Sequence, residues 1–409
     1  MLRAALLHSA AVTAPDSQGL LEGVEARFAD STDFTVGLEE EYQILDRETR
    51  ALTNRFEDVM GAVPEPIAER FAGELIASEI EYRTVKHDTF ATAARELVEG
   101  RLAAIDVADR VGVDLGITGV HPFSRWEDQR LIDTPHYRLL DETLGYVAWT
   151  NNTWSTHLHC GIRDADRAIA IMTAMRGVLP ELLAVSANSP IFMGRATRLH
   201  STRTQVFVRS FPRCGIPDAF RDWREYADYI RFLETSNSIR KSTQIWWSIR
   251  PHHSFGTIEV RICDGQTDMR HAVAVMALAY AAIARFAAAY DDGEPLPAHA
   301  DRVLEENLWR AIRYGQEGMM IDLDTARERP TRNALTALCD WVDPVVDGLG
   351  LRRFIDDARQ LIEGDNGALW QLDLLAKLGS PAEVVEAVIE RTRTSALAMR
   401  DELQKEMVI

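Results

Sequence analysis

Hydrophobic and polar residues alternate with a period of two along several short stretches of this chain, and elsewhere recur every three to four residues. The first pattern marks half-buried strands, the second helices packed on one side. Thr35–Leu45 (TVGLEEEYQIL) sets Val36, Leu38, Tyr42 and Ile44 on one face, with Glu40 the odd member, and Gly37, Glu39, Glu41 and Gln43 on the other. Ser78–Val85 opposes Glu79, Glu81 and Arg83 to Ile80 and Tyr82. Thr153–Ile162 opposes Ser155, His157, His159 and Gly161 to Trp154, Leu158, Cys160 and Ile162. Read the same way, Thr202–Ser210 is a strand aligning Arg203, Gln205 and Arg209. Ile245–Asp264 reads as two strands around a Pro/Gly turn, the second setting Glu259 and Arg261 against Ile258, Val260 and Ile262, and Leu115–Val120 is a short apolar strand.

Helical periodicity covers residues 55–70, a helix capped by Asp88 or Thr89 and running to about Gly112, a long helix after Asp164 bent or broken at Pro180, and 218–236. From Asp268 onward the pattern is helical to the end, and Ser380-Pro381-Ala382-Glu383 opens the last helix. The first residues, MLRAALLHSAAVTAP, are faintly signal-like, but His8 and Ser9 break the apolar run, so residues 1–32 read as a disordered leader. No repeat, low-complexity tract or linker divides the rest. Residues 33–409 therefore read as one α+β domain, a mainly antiparallel curved sheet with helices on its apolar face.

Composition narrows the function. A net charge of −18 argues against nucleic-acid binding, because a phosphate backbone would be repelled. The four cysteines, at 160, 214, 263 and 339, form no C-x-x-C pair, so neither a disulfide framework nor a zinc ribbon is indicated and a reducing cytoplasm is the simplest home. No uninterrupted apolar run reaches roughly 18 residues, so no membrane span is expected.

The polar faces carry the chemistry. Glu39 and Glu41 lie about 7 Å apart on one side of a strand, a spacing that suits two hard cations side by side. If the strands share one sheet, Glu39, Glu41, Glu81, His157, His159 and Glu259 line one concave surface with Arg203, Arg209, Arg250 and Arg261, and Glu79 is an alternative to Glu81. Carboxylates with one or two imidazoles suit Mg²⁺ or Mn²⁺ better than zinc. Arginines beside metal-binding acids imply a substrate rich in anionic oxygens, such as a nucleotide triphosphate plus a carboxylate, although Arg203 and Arg209 are equally read as structural ion pairs. No P-loop, dinucleotide fingerprint or nucleophile elbow is present, so any nucleotide must be held through metals and arginines.

GLEEEYQILDRET, THLHCGIRDADRA, LLAVSANSPIFMGR, STRTQVFVRSFPRCG, WWSIRPHHSFGTIEVRICDGQTD and ENLWRAIRYG, in that order, resemble the type-2 glutamate–cysteine ligase family of carboxylate–amine ligases. The resemblance spans roughly residues 33–400. It implies a glutamine-synthetase-like catalytic domain that joins an acid to an amine through an acyl phosphate, with ATP and Mg²⁺, acting on small-molecule amino acids as a homodimer. It further implies that Glu39, His157 and Glu259 share one Mg²⁺ while Glu41 and Glu81 hold another. Arg250 and Arg261 would face phosphate or the substrate carboxylate, with Arg203 beside them. Arg209, Arg250 and His159 would attend the nucleotide. His252-His253-Ser254, Cys160 and Cys214 depart from the family pattern near the expected pocket. Two readings compete with the ligase: a metal-dependent amide or phosphoester hydrolase that uses the same acids without ATP, and a binding protein that kept the fold and lost turnover.

Overall fold

The computed structural model describes residues 19–406. Its centre is a seven-stranded antiparallel sheet: β1 (Val36–Asp46), β2 (Phe71–Ala72), β3 (Glu79–Arg83), β4 (Val113–Gly116), β5 (Thr156–Gly161), β6 (Ile249–His252) and β7 (Thr257–Val260). The order is β6-β7-β5-β1-β3-β2, with β4 paired to the far end of β1. Val36, Leu38, Tyr42 and Ile44 of β1 are all buried, as their alternation requires. They pack against α2 (Phe90–Val111) and α6 (Met269–Asp291). Thr89 caps α2 by accepting the Thr92 N–H, and Gly112 ends it with φ 75°, a left-handed conformation that glycine adopts without Cβ strain. Gly100 has a different purpose. A Cβ there would lie 2.1 Å from Cε1 of Tyr82, so only glycine lets α2 approach β3 this closely.

Glu40, the odd acid of the apolar face, is fully buried and paired with the equally buried Arg101 of α2. Arg101 Nε donates to its carboxylate at 2.9 Å, the Tyr42 hydroxyl donates at 2.8 Å, and the remaining guanidinium donors reach the carbonyls of Gln266 and Thr267. Every charge in this network has a partner, which is the condition for tolerating ions in a core.

Three expectations change. Thr202–Ser210 is a helix, α5, because Ser201 caps it by accepting the Thr204 N–H and its first turn is buried. Of the expected leader, residues 1–18 lie outside the described residues. Residues 24–29 form a helix, α1 (Val24–Ala29), whose Val24 and Phe28 enter the core. The helical C-terminal part is interrupted by a hairpin, β8 (Met319–Asp322) and β9 (Arg327–Pro330). The helix after Asp164 is indeed broken, into α3 (Ala165–Met175) and α4 (Leu179–Ser186), which meet at 59°. Helix α6 is long and apolar enough to cross a membrane, but 89% of that apolar window is buried inside the protein.

Candidate active site

The pleat of the sheet gathers the acids. Across β5, β1 and β3, His157 faces Glu39, which faces Arg83, and one rung further along Glu41 faces Glu81. On the other side His159 faces Glu259, and Glu259 faces Arg250. These side chains line a cleft of ≈ 350 Å³ that holds six carboxylates (Glu39, Glu41, Glu74, Glu79, Glu81 and Glu259) against four arginines (Arg83, Arg203, Arg250 and Arg261).

The two ends of the cleft differ in electrostatics. At the β5–β7 end every acid has a basic partner. Glu259 accepts from Arg250 Nε at 2.7 Å and pairs with Arg261. Burial pushes its carboxyl up, yet the charges of Arg250 and Arg261 outweigh that and hold it well below the usual range. Glu39 lies 3.1 Å from His157 Nδ1 and 3.3 Å from His159 Nε2. Burial again pushes upward, and the charges and hydrogen bonds of the two imidazoles win, so Glu39 stays ionised. His159 is raised: burial lowers it, and the charges of Glu39 and Glu259 more than compensate. His157 is lowered by burial and then by Arg261, and its Nε2 sits 2.7 Å from Ser155 Oγ.

At the β3 end the balance reverses. Burial, followed by the charge of Glu41, pushes Glu74 up to about 8. Burial and neighbouring acids push Glu79 and Glu81 well above the usual carboxylate range. Too few cationic side chains stand among these acids. Carboxylates so crowded need either protons or bound cations to relieve their repulsion.

Divalent ions fit that need. Ligand atoms of Glu39, Glu81 and His157 lie within 4.8 Å of one another, as do those of Glu39, His159 and Glu259, and those of Glu41, Glu74 and Glu81. Oxygen-rich sets with at most one imidazole match Mg²⁺ or Mn²⁺. The grouping differs from the one implied by the resemblance. His159, which directly faces Glu259, joins Glu39 and Glu259, while His157 joins Glu39 and Glu81. Glu79 lines the cleft without belonging to any of these sets.

Arg203 and Arg209 part company. In a helix, six residues turn the side-chain direction by about 240°, so the two cannot share a face as they would in a strand. Arg203 lines the cleft and donates to the carbonyls of Ile262 and Arg261 at 3.1 and 3.2 Å. Behind it, buried Asp264 takes hydrogen bonds from Ser189 and Ser201, which tie the start of α5 to the sheet. Arg209 is exposed and pairs with Glu305 at 2.8 Å, away from the cleft. Its assignment to the nucleotide is therefore withdrawn.

Sequence reasoning missed Glu74, His136 and Tyr137, all of which line the cleft. Glu74 lies in a loop with no periodicity to mark it, and the other two stand on a short helix (Pro135–Leu144) within a stretch to which the sequence pattern assigned no element. The Thr134-Pro135 pair, a cap followed by proline at the first helical position, is the signal that was available.

A second cavity, ≈ 600 Å³, adjoins the cleft at Glu39, Arg83, His159 and Phe255. Arg27, Arg70 and Lys86 stand around it. The Phe255 ring, 60% exposed, stacks on His252 with centroids 4.3 Å apart.

The model of a family described as glutamate–cysteine ligase family 2 matches residues 35–395. A Rubrobacter xylanophilus protein carrying the provisional name glutamate–cysteine ligase 2-2 is 36% identical over 92% of this chain and 96% of its own length. A Solibacter usitatus protein provisionally named glutamate–cysteine ligase 2 is 35% identical over 89% of this chain and 94% of its own. In architecture the chain is similar to the crystal structure of a Francisella tularensis glutamate–cysteine ligase in complex with AMP. The TM-score is 0.63 over 91% of this chain and 93% of that one, at 12% identity, a likeness of fold.

Proposed function

The chain belongs to glutamate–cysteine ligase family 2, which makes it an ATP-dependent ligase, and we propose that it joins a small carboxylic acid to an amine through an acyl phosphate. The observation that carries this reading is the cleft over one sheet face, where six carboxylates, the imidazoles of His157 and His159 and three inward arginines (203, 250 and 261) converge. In the first step a substrate carboxylate oxygen attacks the γ-phosphorus of ATP, the bond to the bridging oxygen breaks, and ADP leaves. In the second, an amine nitrogen attacks the acyl carbon, phosphate leaves, and the nitrogen gives up its proton.

Mg²⁺ or Mn²⁺, held by Glu39, Glu41, Glu74, Glu81, His157, His159 and Glu259, would neutralise phosphate oxygens. The protein's own groups do the rest. Arg261 and Arg203 bring positive charge to the place where two anions must meet, and Arg250 keeps Glu259 ionised and aimed into the cleft. The ≈ 600 Å³ cavity takes the nucleoside: it meets the acid cluster at Glu39 and offers an exposed aromatic ring and cationic side chains. The acid and amine then occupy the Arg203 side of the cleft, with glutamate and cysteine the first pair to try. We place the enzyme in a reducing cytoplasm, where its four cysteines, all free, remain thiols, and we expect a homodimer by light scattering.

The test is release of ADP and phosphate from Mg–ATP across a panel of amino acids supplied singly and in pairs. Turnover that needs both an acid and an amine establishes the ligase and names its substrates. Amide or phosphoester hydrolysis in the absence of ATP would overturn it.

A further inference from the structure

We propose that a cavity of ≈ 400 Å³ remote from the cleft binds a small zwitterion of the amino-acid type. It lies between the α3–α4 bend, the end of α6, the β8–β9 hairpin and α7 (Thr331–Val346), and shares no lining residue with the cleft. Its volume falls in the range of small-ligand pockets, at the lower end that suits one amino acid or a dipeptide.

The charges on its wall are arranged unequally. Arg285 is half-buried, with its guanidinium carbon 5.6 Å from the centroid of the Trp341 ring. Among the described residues it has no ion-pair partner, and its Nε is buried without an acceptor. An Nε withdrawn from water in this way lacks the acceptor that would offset its desolvation. Arg329, the other arginine of the cavity, is already engaged by Glu181 at 3.2 Å and Asp322 at 3.6 Å. Glu294 and Asp324, both exposed, line the same space and have no ion-pair partner among the described residues. One free cation and two free carboxylates therefore share a cavity whose remaining wall includes Phe286, Leu296 and Leu338.

That pattern selects the ligand class. A phosphate dianion would gain Arg285 but meet the four carboxylates of the lining. A carboxylate that carries its own ammonium satisfies both signs, with the carboxylate forked on Arg285, the ammonium on Asp324 or Glu294, and an apolar side chain against the wall. The hairpin that closes one side is firmly placed: Asn307 exchanges hydrogen bonds of 2.8 and 2.7 Å with the backbone of Ile321.

The cleft is itself proposed to take amino acids, so the experiment separates the two sites. Calorimetric titration with L-leucine, L-phenylalanine and glycyl-L-leucine is run on the wild type, Glu259→Gln and Arg285→Gln. Binding that survives Glu259→Gln and weakens at least tenfold in Arg285→Gln is the expected result. N-acetyl-L-leucine and isopentylamine, each lacking one of the two charges, should bind at least tenfold more weakly than L-leucine. The surface variant Asp324→Asn, together with Glu294→Gln, should weaken binding in the same direction, which keeps the test open if Arg285→Gln unfolds. No binding of any of the three probes, or equal affinity in the wild type and Arg285→Gln, overturns the proposal. Loss of L-leucine binding in Glu259→Gln alone would assign the heat to the cleft and overturn it equally.

Discussion

Glu39, Glu40 and Glu41 are consecutive residues of one strand, Glu40 and Glu41 buried and Glu39 partly so, yet they live in opposite electrostatic worlds. Glu40 faces the helices, where Arg101, Tyr42 and two backbone carbonyls complete a closed network. Its neighbours face the cleft, where six carboxylates share four arginines and the acids toward β3 are pushed upward by burial and then by one another. A buried acid with a full set of partners belongs to the architecture. A buried cluster with too few partners is poised for cations that the chain does not itself supply. The difference is one of wiring, since the residue type and the strand are the same.

The sharpest way to break this comparison is to neutralise one acid on each face. Glu81→Gln, on the crowded side of the cleft, should lower ADP release by about 10³-fold while leaving the urea midpoint at or above wild type. Arg101→Met should do the reverse. By stranding Glu40 in the core it should cost about 3–5 kcal/mol in urea unfolding, and the double variant Glu40→Leu/Arg101→Met should recover much of the loss. Similar stability losses on both faces would show that the cleft acids are also structural.

Metal addition sharpens the same contrast. Mg²⁺ at a hundred times its dissociation constant should stabilise the wild type by about 2.7 kcal/mol, read as a rise in urea midpoint. Glu81→Gln, which removes a donor common to two of the three sets, should lose most of that gain and should be more stable than wild type in EDTA.

A smaller effect separates neutral burial from charged burial. His121 is buried as the neutral ring, with Nδ1 accepting the Ser124 N–H at 2.9 Å and Nε2 facing the Arg50 carbonyl at 3.0 Å. Burial lowers it from its ordinary 6.5 to about 3, and the bond to Arg50 only partly opposes this. The folded state then holds fewer protons than the unfolded state below pH 6.5, so its stability falls as pH drops from 6.5 towards 3. His121→Gln should reduce that slope by up to about 1.4 kcal/mol per pH unit, measured from urea midpoints across the window. The least disruptive variant is Arg209→Ala. Pairing among the described residues only with Glu305 on the surface, it should change KM for ATP by less than about twofold. Arg203→Ala, by contrast, should be severely impaired.

The alternation of Thr35–Leu45 was enough to put Glu39 and Glu41 on one face and the core residues on the other, because a strand's period of two leaves no freedom once one face is buried. The same logic placed His157, His159 and Glu259. It failed at Thr202–Ser210, where Thr202, Thr204, Val206 and Val208 at alternate positions imitate a strand. There the Ser201 cap and the anchoring of Asp264 by Ser189 and Ser201 decide for a helix. No local pattern records a contact between residues more than sixty positions apart.

Periodicity and residue identity were enough to mark most strands of the central sheet, the polar faces of β1, β3, β5 and β7, and the family. Which charged groups become neighbours was settled by the packed fold: His159 rather than His157 stands with Glu259, Glu74 arrives from a loop, and Arg209 turns away. Pairing across strands depends on register, and register is fixed by the packing of the whole sheet, whereas the pattern within each strand is fixed by its own covalent geometry.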